Sequence, residues 1–244
     1  MLLSPAYIDP DQLATQLRQH GYAVLGPRGV CELAGCSLAD LQALGRSWDD
    51  LPPDQHLKDG GRYRKRRHAS FVAEGGSVTQ VPHRAHWQPV EYNALHGGME
   101  RWFDAMQPEV VAQAAWRALL QSLARVAGDL RGPQPWYVEA HQFRIDTEGG
   151  IGRPTPEGAH RDGVDLVAVF LVAREGIKGG ETRVFQADGP AGQRFTPTEP
   201  WSVLLLDDAR VIHETTPIQP VEAGGRCHRD TLVLTARAGG FQDA

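Results

Sequence analysis

From Trp136 onward the chain is a succession of short apolar or alternating runs, with turn-forming residues between them and no helical period. WYVEAHQFRI (136–145), VDLVAVFLVA (164–173), ETRVFQ (181–186), WSVLLLDD (201–208) and DTLVLTAR (230–237) each have the length and composition of a strand. Gly, Pro and Asp punctuate the gaps. Strands that follow one another without crossover helices pair antiparallel, and a set of this size closes into a sandwich or barrel. The content of 27 Gly and 17 Pro fits such a turn-rich fold better than a helix bundle.

The first half is mixed. DPDQLATQLRQHG (9–21) predicts a helix, with Leu13 and Leu17 one turn apart and Gly21 past its end. YAVL (22–25) reads as a short strand ended by a GPRG turn. SLADLQALGRSW (37–48) opens with Ser37 and Asp40 in capping-box spacing and predicts a second helix. PEVVAQAAWRALLQSLARVAGDLRG (108–132) repeats its apolar residues at three and four and predicts one long core-packing helix, stopped by Gly132 and Pro133. The expected fold is α+β: a jelly-roll core over 134–240 that carries the site, with a mainly helical part, 1–133, packed against it. No Gly/Ser-rich linker divides the chain, and 244 residues suit a single domain, 1–244.

Charge and cysteine usage exclude some classes. A formal net charge of −5 argues against a general nucleic-acid binder. No stretch approaches the ~18 apolar residues of a membrane helix. The N-terminal segment has no basic start followed by an apolar run, so no leader is expected and the cytoplasm is the default location. Cys31, Cys36 and Cys227 are too few and too irregularly spaced for a disulfide framework or a structural zinc site. The one dense basic run, GRYRKRRHASF (61–71), with Arg66 within it, reads as a solvated strand or loop, as an electropositive wall that attracts carboxylates, or, third because the rest of the chain is acidic, as a nucleic-acid patch.

The chemistry centres on AHRDGVD (159–165). Side chains two apart on a strand share a face, so His160 and Asp162 project together. Asp and Gly are also turn residues, and by itself the pair reads as a turn. His213, just past the run WSVLLLDD, offers a third ligand. Two imidazoles and a carboxylate form a facial triad with open positions, a set suited to non-haem Fe(II) oxygen chemistry. Arg229 and Thr231, two apart on the last strand, together make a carboxylate holder; the plain alternative for Arg229 is a salt bridge with Asp230. On HQFRI (141–145), His141 and Phe143 share one face and Gln142 and Arg144 the other, with nothing to say which is inside. Arg144 reads as a contact for a substrate carboxylate or as half of an ion pair.

These blocks, HQFRI, PEGAHRDGVD (156–165), REGIKGGET (174–182), HETTPI (213–218) and HRDTLVLT (228–235), resemble in order those of the Fe(II)- and 2-oxoglutarate-dependent dioxygenases, in particular the bacterial subfamily that includes free L-amino-acid (isoleucine 4-) hydroxylases. The basic block resembles the same subfamily more loosely. The resemblance implies a double-stranded β-helix, cupin-like in form. It implies that His160, Asp162 and His213 bind Fe(II) as the catalytic centre, and that Arg229 holds the distal carboxylate of 2-oxoglutarate with Thr231 as helper, where many relatives carry Ser. The implied reaction uses O2 and releases succinate and CO2 while hydroxylating a small zwitterionic substrate such as a free amino acid. Gln142, Arg144, Glu181 and Arg66 are the candidate substrate contacts. No nucleic-acid or membrane partner is expected. The competing readings are a cupin-like metal hydrolase or isomerase, which needs no Arg229, a non-enzymatic 2-oxoglutarate or iron sensor of a stress or biofilm response, and a basic-surface binding module built on residues 61–71. Arg161, between two ligands, is expected to face away.

Overall fold

The computed structural model describes residues 3–222 and 227–243. A 3-10 turn, Pro10–Gln12, leads into α1 (Leu13–His20), which stops at Gly21, and β1 (Tyr22–Leu25) follows. The GPRG segment does not end in a turn but opens α2 (Pro27–Ala34), because Gly26 supplies an extended N-cap and Pro27 a pre-set first helical φ. α3 (Leu38–Gly45) has the expected capping box: Ser37 Oγ accepts from the Asp40 amide at 3.2 Å, and the Asp40 carboxylate accepts from the Ser37 amide at 2.9 Å. A 3-10 turn, Arg46–Asp50, then drops Trp48 into the core.

The N-terminal part also contains a hairpin, β2 (Arg64–Glu74) and β3 (Ser77–Gln80). Residues 81–107 then cross one end of the molecule without a helix or named strand. The long predicted helix is two: α4 (Pro108–Val111) and α5 (Ala114–Arg131), separated where Gln113 turns extended to cap the second. The remaining strands are β4 (Trp136–Asp146), β5 (Leu166–Glu175), β6 (Ile177–Gly179), β7 (Thr182–Gln186), β8 (Gly192–Phe195), β9 (Val203–Asp207), β10 (Val211–Thr215), β11 (Ile218–Pro220) and β12 (His228–Ala238).

They form a double-stranded β-helix. The major sheet has seven antiparallel strands in the order β1-β9-β5-β12-β4-β2-β3; β10-β7-β8 form a smaller sheet, and β11-β6 a two-stranded ladder. Three of the seven major strands, β1, β2 and β3, come from the first half of the chain.

The helices cover one face of this sheet. Trp116, Leu119, Leu120 and Leu123 of α5 pack with Phe71, Val138, Ala140, Leu232 and Leu234 from the strands. The opposite face looks toward the smaller sheet, and the registers align its side chains in rows. Arg64, Ile145 and Arg229 form one row, Arg66, Phe143 and Thr231 the next, then His68, His141 and Val233, then Ser70, Glu139 and Thr235. A sheet buried on both faces thus presents an apolar side to the helices and a polar side to an internal cavity.

Trp116 is 1% exposed and anchors α5 on the sheet. Trp116→Ala should cost about 3–5 kcal/mol of stability by the cavity it leaves, read from urea unfolding. Leu38→Ala, at a side chain 40% exposed, should stay within about 0.5 kcal/mol.

Candidate metal and carboxylate site

His160 is not on a named strand. It forms an isolated antiparallel bridge with His213 of β10: the His160 amide donates to the His213 carbonyl at 3.0 Å and the reverse bond is 2.9 Å. The bridge sets the two rings 4.6 Å apart, centroid to centroid. Asp162 closes the group, with carboxylate oxygens 3.8 Å from Nε2 of both His160 and His213. One ligand atom from each of the three lies within 4.8 Å of the others, a spacing that admits a shared metal ion.

The surroundings prepare these atoms. Nδ1 of His160 sits 2.9 Å from the Gly158 carbonyl, which can only accept, so Nδ1 carries the proton and Nε2 presents its lone pair. Nδ1 of His213 is buried with no partner among the described residues, so its backbone pairing with His160 orients it. Asp208 gathers the ligand loop by accepting from the amides of Asp162 (3.0 Å), Gly163 (2.7 Å) and Val164 (3.1 Å). Burial and the Asp162 charge push the Asp208 carboxyl up to about 7 against these three donors. Burial opposes charging of His160, but Asp162, Glu157 and the Gly158 carbonyl together raise it above its ordinary value; burial and His160 lower His213. Gln88 donates to Asp162 Oδ1 at 3.2 Å and accepts from Arg101 at 2.9 Å. Gly163 has φ 77°, and a Cβ there would lie 2.4 Å from the Tyr92 ring, so the loop requires glycine. Arg161 points away, with its guanidinium 5.8 Å from the Tyr92 ring centroid.

The triad opens into a cavity with about 920 Å³ of empty space, part of it open to solvent. Arg229 and Thr231 line the same cavity. Arg229 is 5% exposed and has no ion pair among the described residues. Asp230 points the other way, where Arg144 takes it through bonds of 2.8 and 2.7 Å. Burial and the neighbouring Arg174 push Arg229 down to about 10, so it is still a cation at neutral pH. Gly180, at φ 67°, brings the β6–β7 turn against this corner: a Cβ there would lie 2.9 Å from an Arg174 nitrogen and 3.9 Å from Arg229 Cδ.

Among the candidate substrate contacts, only Arg66 reaches the cavity. Its guanidinium lies between the Phe103 and Phe143 rings, 3.6 and 4.4 Å from their centroids, and donates to His141 Nδ1 at 2.7 Å. Gln142 and Arg144 are on the helix-facing side of β4: Gln142 donates to Ser47 at 2.7 Å, and Arg144 spans Asp230 and Asp49. Glu181 lies outside the cavity and pairs with Arg183 at 2.9 Å. The expectation that these three touch substrate is therefore corrected. The basic run is no solvated loop either: alternate residues Arg64, Arg66 and His68 are buried, and Arg64 and Arg66 share the buried Asp54 at 2.7 and 3.8 Å.

The sequence reading missed several cavity residues. Arg101, His86 and Gln88 come from the irregular 81–107 segment, and Glu157 precedes His160. Glu157 sits 3.5 Å from His160 Nε2 and has no Arg or Lys partner among the described residues. Period-2 spacing puts Glu139 and His141 on one face of β4, but both faces are buried, so the pattern does not mark that face as the cavity side, and nothing in it marks residues of an irregular segment. His68, His86, Glu139 and His141 form a second group with ligand spacing. Here Glu139 already accepts from His68 (3.2 Å) and His86 (3.0 Å), and Arg66 and Arg84 abut the group, a setting that repels a dication.

Residues 45–235 match the family model described as 2OG-Fe dioxygenase, and the chain belongs to that family. It is a 2-oxoglutarate-dependent non-haem iron oxygenase. The structure is similar to that of a bsmA homolog from Methylobium petroleophilum PM1, with 53% identity, 98% of this chain and 97% of that chain covered, and a TM-score of 0.94. It shares its fold with IDO from Bacillus thuringiensis (14% identity, 100% of both chains, TM-score 0.76) and with the Fe(II)/(alpha)ketoglutarate-dependent dioxygenase TqaL (19%, 96% and 90%, 0.70). No curated protein matches the sequence. No helix among the described residues is long and apolar enough to cross a membrane.

The buried histidines give the site a pH signature. Burial lowers His86 to about 4, against the Glu139 charge that pulls it up, whereas an unfolded chain protonates it near 6.5. Unfolding therefore takes up a proton between those values, and stability falls as pH drops through that window. Burial opposes the ionisation of Glu139, but His86 and His68 outweigh it and hold its pKa well below the ordinary range, so its contribution is lost further into acid. The urea midpoint should fall measurably from pH 7.5 to pH 5; an unchanged midpoint contradicts neutral burial of these rings.

Proposed function

We propose that this oxygenase hydroxylates a small zwitterionic substrate, a free L-amino acid, with His160, Asp162 and His213 holding Fe(II) and Arg229 holding the distal carboxylate of 2-oxoglutarate. The observation that carries the reading is the buried Arg229, which lines the cavity that the triad faces and forms no ion pair among the described residues. A buried charge left unpaired is costly unless a ligand completes it, and the guanidinium fork matches a carboxylate. A cupin-like hydrolase has no use for such a group. Thr231, next on the same face, adds a hydroxyl.

The donor set fits iron: two neutral imidazole nitrogens and one carboxylate, with the His160 tautomer fixed by Gly158. When bound, iron and 2-oxoglutarate supply the activation of O2 that puts one oxygen atom into a substrate C–H bond, with succinate and CO2 as co-products. The chain's own part is to bind, orient and exclude water. Gln88 holds one oxygen of Asp162 and leaves the other for the metal. The Arg101–Gln88–Asp162 chain ties the 81–107 segment to the metal loop, so this segment roofs the cavity.

The substrate reading rests on a second anion-holding end. Arg66 and Arg101 line the same cavity as Arg229. With β4 between β2 and β12 and one row of offset, the Cα atoms of Arg66 and Arg229 are roughly 12 Å apart by strand geometry. That span separates two carboxylates, one from each ligand. Glu157, beside the triad, accepts the substrate ammonium.

Arg229→Gln should weaken 2-oxoglutarate binding to the Mn(II)-loaded protein by about 10–100-fold, the loss of a charged hydrogen-bonded pair, by calorimetry; an unchanged affinity contradicts the assignment. His160→Ala should abolish Mn(II) binding at the triad. Screening free L-amino acids for succinate release should give stimulation by a subset, and uniform failure would remove the substrate reading.

A further inference from the structure

Two imidazole nitrogens in the cavity remain without a role in binding metal or 2-oxoglutarate. His141 on β4 accepts from Arg66 through Nδ1 at 2.7 Å. An arginine only donates, so Nδ1 is bare and the proton of the neutral ring is on Nε2. His86 is the mirror case: its Nδ1 lies 3.0 Å from the Glu139 carboxylate, which accepts, so Nδ1 carries the proton and Nε2 is a bare acceptor. The rings are 4.6 Å apart, centroid to centroid, at 76°. Both residues line the cavity, and neither Nε2 has a hydrogen-bond partner among the described residues. Neighbours on the far side of each ring thus fix one donor and one acceptor side by side.

We infer that His86 and His141 form a recognition pair for a neutral polar group on the substrate, a hydroxyl or a carboxamide, which donates to His86 Nε2 and accepts from His141 Nε2–H. This rests on the amino-acid reading above and names a subclass within it. A carboxylate gives His86 no proton, and an ammonium gives His141 no lone pair. An alkyl group offers neither nitrogen a partner. Burial keeps both rings neutral: His86 is lowered to about 4, and His141 lies well below its ordinary value, with Arg66 adding to the effect of burial. His141 stands in the row next to that of Arg66 on the same face of the sheet, and His86 lies against its ring from the 81–107 segment. A substrate carboxylate on Arg66 and Arg101 therefore leaves the side chain a short reach to the imidazoles.

The test compares near-isosteric probes for succinate release with Fe(II), 2-oxoglutarate and O2. L-Homoserine is set against L-norvaline, L-threonine against L-valine, and L-glutamine against L-glutamate. At least one hydroxyl or carboxamide probe should exceed its partner by about tenfold or more in kcat/KM, since a site built to hydrogen-bond a group rejects the analogue that lacks it. His86→Asn keeps an N–H for Glu139 and removes the Nε2 acceptor; His141→Asn keeps an acceptor for Arg66 and removes the Nε2 donor. Each should raise KM for the preferred polar probe and bring the ratio within its pair toward one. Stimulation by the alkyl or carboxylate probes equal to or above their partners overturns the inference while leaving the amino-acid reading in place. So does a preference that survives both variants. Failure of every amino acid to stimulate turnover overturns both.

Discussion

The backbone bridge between His160 and His213 is the contact on which the site depends. It joins the loop that follows β4 to the smaller sheet, and it brings two residues 53 positions apart in the chain into register as neighbours. Asp208 completes the arrangement from the end of β9 by taking three successive amides of the ligand loop. The triad is thus set by main-chain hydrogen bonds on both sides rather than by long flexible side chains. Such a site is formed before any metal arrives, and its geometry costs little to adopt on binding.

Around that fixed point the protein concentrates buried charge. Arg64, Arg66, Arg101 and Arg229 all line one cavity; Asp54 pairs with Arg64 and Arg66, Arg101 donates to Gln88, and Arg229 has no ion pair among the described residues. The inner face of the sheet keeps these groups apart by register, Arg229 in one row and Arg66 in the next, on strands separated by β4. The cavity thus presents guanidinium groups at two places, and the His160, Asp162 and His213 triad lines the same cavity. The apolar face of the same sheet carries the stability, so the polar face is free to carry function.

Much of this was legible in the sequence, for identifiable reasons. The C-terminal strands showed because short apolar runs with turn residues between them leave no other solution. The expected ligands His160, Asp162 and His213 and the pair Arg229 and Thr231 line one cavity; period-2 spacing describes Arg229 and Thr231 on β12, whereas His160 and Asp162 lie off any named strand and meet His213 through an isolated bridge. The inside of β4 did not show, because both of its faces are buried: Gln142 is 0% exposed and His141 4%. With no solvent side, alternation carries no sign, and Gln142 and Arg144 were assigned to substrate when they belong to the helix-facing layer. The basic run misled for a related reason: a dense charge block reads as solvated unless its counter-ion, here Asp54, is known to fold beneath it. Arg101, His86 and Glu157 lie in irregular segments, where position is set by tertiary packing alone.

The central claim is that one particular cluster, and not the other, holds the metal with 2-oxoglutarate beside it. A crystal structure grown without O2 in the presence of Mn(II) and 2-oxoglutarate tests this directly. The expected density is a metal bound by His160 Nε2, His213 Nε2 and Asp162, with the distal carboxylate of 2-oxoglutarate on the Arg229 guanidinium. Metal seated instead among His68, His86, Glu139 and His141, or 2-oxoglutarate bound away from Arg229, would contradict the account.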